Sequence, residues 1–171
     1  LLVLGIPMGM YSKFLVQERE TSERLLHNIM PKQIAEILKN SSEPVALENP
    51  DISVMMADIV NFTSFSDNVS AEKVVKLLNG ISSRFDEVVL EYNVEKIKTI
   101  GDAYMVVAGL PEARADHAQI LVDMSAKFIE IASEYNDHEG KPIQIRIGIH
   151  SGPAVSGVIG KSKFAFDVWG D

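Results

Sequence analysis

Residues Ile143 to His150, IQIRIGIH, place an isoleucine at every second position: Ile143, Ile145, Ile147 and Ile149. An extended chain turns successive side chains to opposite faces. The segment is therefore a strand with one apolar face and one face carrying Gln144, Arg146 and His150. Such a strand needs sheet partners and an apolar cover over its isoleucines. Two stretches have the period to supply that cover. Ala71 to about Tyr92, capped by Ser70, sets Val74, Val75, Leu77, Leu78, Ile81, Phe85, Val88 and Val89 on one helical face. Asp116 to Asn136 does the same with Ile120, Leu121, Met124, Phe128 and Ile129.

Further strands are expected at Ile52 to Ile59, at Val94 to Thr99 and Tyr104 to Leu110 around a Gly101-Asp102 turn, and at Ala154 to Ile159 after a Ser-Gly-Pro turn. Phe164 to Trp169 reads as a last strand or loop. The order β, α, β-hairpin, α, β, β points to an α+β fold with a mixed, mostly antiparallel sheet and helices packed on it. Met55, Met56, Met105 and Met124 read as core filler, and Trp169 as a packing anchor.

Ahead of this domain lies a helical segment, Gln17 to Asn40, interrupted at Pro31, and a turn-rich boundary at Asn40 to Asn49. The first residues, LLVLGIPMGMYSKFLV, are apolar but shorter than the roughly 20 residues that cross a bilayer. With Lys13, Arg19 and Arg24 following, residues 1–16 are expected to be the cytoplasmic end of a transmembrane helix whose start is missing. The organisation expected is thus an apolar tail at 1–16, a helical connector at 17–43 and a main domain at 44–171, in a cytoplasmic part of a membrane-attached protein. The chain begins without Met and stops at Asp171 without a polar tail, and is expected to be a fragment.

The net charge of −8 disfavours a nucleic-acid partner, because phosphate backbones attract a surplus of Lys and Arg. The absence of cysteine removes disulfides, thiolate nucleophiles and Cys-bound zinc. Acidic residues gathered around a metal remain. Asp58 ends the apolar run VMMADIV, where a carboxylate is costly unless paired or bound to a cation. The segment after it, Val60 to Ser64, enters a turn whose free backbone N–H groups suit an anion. Asp102 sits in the hairpin turn. Either Asp alone is ordinary turn chemistry, but two at neighbouring strand ends make a hard-oxygen site for Mg²⁺. Arg146 and His150 read as exposed strand residues, possible interface residues at most.

The segments ADIVNFTSFSD, KIKTIGDAYMVVAGLP, IRIGIHSGPAVSGVIG and FDVWGD, in unbroken order, resemble the class III nucleotide cyclase catalytic domain. LLHNIMPKQIAEILK resembles the short helical segment preceding that domain in membrane-attached bacterial members. The resemblance implies a ββαββ-type ferredoxin-like or palm-like core. It implies that Asp58 and Asp102 hold two Mg²⁺ or Mn²⁺ ions per active site, with Ile59 adding a backbone carbonyl. Asn61, Phe62 and Thr63 match the turn that holds the triphosphate, and Lys98 and Asp167, with Val168 beside it, match the positions that read the base. Lys offers donors and ionised Asp acceptors, which fits N1 and the N6 amino group of adenine and clashes with guanine. Guanine-selective members carry an acidic residue at the Lys98 position. The implied activity is adenylate cyclase, with ATP as substrate and a homodimer through the catalytic domain; guanylate cyclase and an inactive regulatory domain are the alternatives. The family's Asn and Arg, seven and eleven residues beyond the Asp167 position, would fall after Asp171, so this fragment is expected to have little activity of its own. Pro153 stands where some members have a phosphate-contacting Arg.

Overall fold

The computed structural model describes residues 8–40, 45–160 and 163–170. They form two compact units, one of Leu1–Val45 with Val158–Phe166 and one of Ala46–Gly157 with Asp167–Asp171.

In the first unit, α1 (Met8–His27) and α2 (Lys32–Asn40) are separated at Pro31, as the proline demands. The start of α1 at Met8 lies inside the stretch read as an apolar tail; residues 1–7 of that stretch lie outside the described residues. Among the described residues no helix is long and apolar enough to cross a membrane. Lys39 bridges Glu23 of α1 and Glu36 of α2 at 3.5 and 2.8 Å, while Ile34 and Ala35 are buried.

The second unit is built from β1 (Ala46–Ile59), α3 (Phe62–Asp67), α4 (Ala71–Tyr92), β2 (Glu95–Ile100), β3 (Ala103–Ala108), α5 (His117–Ser133), β4 (Ile145–Ile159) and β5 (Ala165–Trp169), the last two running past its boundary. The strands follow the order β2-β3-β1-β4-β5, and the β1–β3, β1–β4 and β2–β3 pairs are antiparallel. From β2 to β5 the chain reads ββαββ, as expected, with β1 inserted at the centre of the sheet.

The helical cover forms as the spacing requires. Ser70 accepts a hydrogen bond from the Lys73 N–H at 3.5 Å and starts α4. Phe85 of α4 stacks on Phe128 of α5 with centroids 3.8 Å apart, and Tyr104 of β3 meets both rings edge-on. Met55, Val106, Leu121 and Met124 complete this core without exposure. A polar cluster sits beside it: the buried Ser53 hydroxyl lies 2.7 Å from His117 Nδ1 and 2.6 Å from Ser151 Oγ, and His117 Nε2 reaches Asp51 at 3.3 Å. Every buried polar atom of that cluster therefore has a partner, which is the condition for placing it there.

Four expectations are corrected. The strand at Ile52 begins six residues earlier, at Ala46, and Ser151-Gly152-Pro153 is not a turn but the middle of β4. The β1–β4 ladder pairs Ile52 with Gly152 and Asn49 with Ala154, so Pro50, Asp51 and Pro153 fall in the gap between. A proline has no N–H for a ladder, and a bulge is where a strand tolerates one. Val75 and Ile129 face solvent (65% and 52% exposed), each at the margin of its helix's apolar stripe. Trp169, 44% exposed, is not buried as a packing anchor.

Candidate active site

Two groups of polar side chains collect on the second unit. The first lies where β1 ends and the β2–β3 hairpin turns. Gly101 takes φ +63°, a left-handed conformation natural to glycine, and the turn sets Asp102 beside the last residues of β1. Ile59 donates its backbone N–H to Asp102 Oδ2 at 3.1 Å. Burial, and then the Asp58 charge, hold the Asp102 carboxyl above the usual carboxylate range, although its backbone hydrogen bonds oppose the shift. Asp58 has a cationic partner: Arg146, its cross-strand neighbour on β4, donates to Asp58 Oδ2 from two guanidinium nitrogens at 2.9 and 3.3 Å. Among the described residues no lysine or arginine forms an ion pair with Asp102.

Immediately downstream, Asn61 adopts φ +58° and turns the chain into α3. The Asn61 side chain does not cap that helix, and among the described residues no hydrogen bond takes the Phe62 and Thr63 N–H groups of its first turn. Asn61 and Thr63 are exposed and Phe62 is partly buried.

The second group joins Lys98 of β2 to Asp167 of β5, whose side chains form an ion pair. Asp167 Oδ1 also accepts the Val168 N–H at 2.9 Å, which fixes the carboxylate's orientation, and Val168 is buried. Among the described residues no hydrogen bond or ion pair links the Lys98–Asp167 group to the Asp58–Asp102 group.

Asp58, Ile59 and Asp102 thus fall into the first group, with the Asn61–Thr63 turn just downstream, and Lys98, Asp167 and Val168 into the second. Arg146 was missed: it read as a bland exposed position, and its ion pair depends on the β1–β4 register. The only available signal was its place on the polar face of the isoleucine strand.

Two hard carboxylates, one of them in no ion pair among the described residues and raised by burial and then by the other's charge, are a donor set suited to Mg²⁺ or Mn²⁺. Among the described residues there is no cluster of three or more His, Cys, Asp or Glu that would suit zinc or a larger cage. A pair of carboxylates is what magnesium uses when phosphate oxygens supply the rest.

Residues 45–171 match the family described as the adenylate and guanylate cyclase catalytic domain. An adenylate cyclase from Mycobacterium bovis is 41% identical over 90% of the chain, and the match covers 35% of that relative. A membrane guanylyl cyclase from Dictyostelium discoideum is 34% identical over 94% of the chain and 11% of its own length. The chain therefore spans about a third or less of these relatives. Among solved structures, the catalytic core of a rhodopsin-guanylyl cyclase with converted specificity, in complex with ATPαS, superposes with a TM-score of 0.69 at 37% identity, over 77% of this chain and 70% of that one.

Proposed function

The chain belongs to the class III adenylate and guanylate cyclase catalytic domain family, and from that premise we propose that it converts ATP to 3′,5′-cyclic AMP and pyrophosphate in intracellular signalling. The observation that carries the choice of ATP is the Lys98–Asp167 pair: a donor and an acceptor held side by side, the acceptor steadied by the Val168 N–H. Lys98 donates to adenine N1 while Asp167 accepts from the N6 amino group. Guanine presents a donor at N1 and an acceptor at O6, and would leave both side chains unsatisfied. Relatives of both names occur, so overall similarity does not choose the base, and the reading of ATP rests on these two residues.

Asp58 and Asp102, with the Ile59 carbonyl, are the residues that would hold two Mg²⁺ or Mn²⁺ ions. When bound, those ions neutralise the phosphates and ease loss of the ribose 3′-hydroxyl proton. The turn at Asn61, Phe62 and Thr63 offers its free N–H groups to the triphosphate. The 3′-oxygen then attacks the α-phosphorus in line and pyrophosphate departs, so the protein's work is positioning and charge compensation. Each chain carries both groups, and by its family membership the site is inferred to be completed in a homodimer, metal-binding residues from one chain facing base-reading residues from the other. Residues 44–171 are the catalytic domain, 17–43 the connector, and residues 1–16 the attachment side, which makes this the cytoplasmic portion of a membrane protein.

The test is to incubate the full-length protein with ATP or GTP and Mg²⁺ or Mn²⁺ and to quantify both cyclic products. Cyclic AMP is expected to dominate, and Asp58→Ala or Asp102→Ala to reduce it by a factor of about 100 or more. Cyclic GMP as the main product would refute the base assignment, and full activity in either alanine variant would refute the metal assignment.

A further inference from the structure

Strand β2 carries two lysines two residues apart, and the structure gives them different surroundings. In a regular strand Lys96 and Lys98 would share a face. Here Lys96 stands opposite Val106 and Lys98 opposite Met105, with Ile97 as the extra residue of a bulge. Val106 belongs to the core beneath α4 and α5, whereas its neighbour Met105 points to the opposite face. The bulge thus turns Lys96 toward the helices and Lys98 away from them. Side-chain contacts agree. Lys96 Nζ donates to Asp86 of α4 at 2.6 Å and lies 4.8 Å above the Tyr104 ring, and the Tyr104 hydroxyl donates to the same Asp86 oxygen. Lys98 pairs with Asp167.

We infer that the Asp86–Lys96–Tyr104 clamp is a positioning device for base recognition: it holds the bulge at Ile97, so that Lys98 rather than Lys96 faces the purine. The inference rests on the reading of Lys98 and Asp167 as the base-binding pair. A one-residue slip moves every side chain of a strand to the other face. Apolar patterning guards poorly against such a slip in β2, an outer strand with the sequence EKIKTI and no fully buried residue. The clamp supplies what patterning lacks. It ties β2 to α4 through one carboxylate, shares that carboxylate with β3, and is satisfied only when Lys96 is on the helix side.

The experiment uses the full-length cyclase with Lys96→Met, which keeps the aliphatic stem over Tyr104, and Asp86→Asn, which keeps the shape. The readouts are kcat and KM for ATP and for GTP separately, with Lys98→Met as the reference. Both clamp variants should raise the KM for ATP more than they lower kcat. Both should also shrink the preference for ATP over GTP about tenfold, toward the value of Lys98→Met. The charge exchange Lys96→Glu with Asp86→Lys should recover part of that preference. A folded Lys96→Met variant whose preference is unchanged, while Lys98→Met loses it, overturns the clamp and leaves the base reading standing. Equal loss of rate with both nucleotides also overturns it, since that is what general loosening would give. If Lys98→Met itself leaves the preference untouched, the base reading falls instead. Should Asp86→Asn not fold, Lys96→Met decides alone.

Discussion

Glu95, the first residue of β2, is a partly buried carboxyl whose pKa burial pushes from 4.5 up to about 7. The native state therefore keeps a proton that the unfolded chain releases between those values. Stability falls as pH rises through that window, because ionisation then has to occur in a poorly solvated place. Glu95→Gln should be more stable than the parent at about pH 8, by on the order of 1–2 kcal/mol after allowance for solvent at this site, and no different below about pH 4. Denaturant melts at the two pH values measure it, and an equal shift at both would refute it. Arg146 carries a second residue-scale lesson. Guanidinium and carboxylate meet across β1 and β4, so the Asp58 carboxylate is oriented by a residue 88 positions away. No local pattern announces that.

At the scale of elements, the sheet and its helical cover hold together through a small set of rings. Phe128 is unexposed and touches Phe85 and Tyr104, one on α4 and one on β3. Phe128→Ala should cost about 3–5 kcal/mol, because three elements surround the cavity and none can collapse into it alone. A midpoint shift in urea gives the value; a loss under about 1 kcal/mol would show that the rings are not the keystone. Most of the helical faces were legible from spacing: Ile81, Phe85, Val88, Leu121 and Met124 are buried where the period puts them. Val75 and Ile129 were not, since periodicity gives a stripe but not its width. Pro153 read locally as part of a turn, yet it stands within a strand, in a ladder gap that also holds Pro50 and Asp51 of the partner strand. A turn signal in one strand becomes a bulge when the partner strand accommodates it.

For the whole molecule, the proposed homodimer makes a claim that single chains cannot test. If metal-binding and base-reading residues come from different chains, an Asp58→Ala chain and a Lys98→Ala chain are each inactive alone. Mixed in equal amounts, they should form heterodimers with one intact and one doubly damaged site. Random pairing then restores about a quarter of parental activity. Activity that stays at background in verified heterodimers would place both groups in one chain's own site.

The sequence by itself determined the elements and the candidate metal ligands: an alternating strand, two amphipathic helices and two aspartates at strand ends. These follow from period and residue type, which are local properties. Tertiary structure alone decided the long β1–β4 register, the Arg146–Asp58 ion pair and the opposite facing of Lys96 and Lys98. Each of these depends on which residue lies across from which in a neighbouring strand, and a shift of one position, invisible in composition or spacing, reverses the answer.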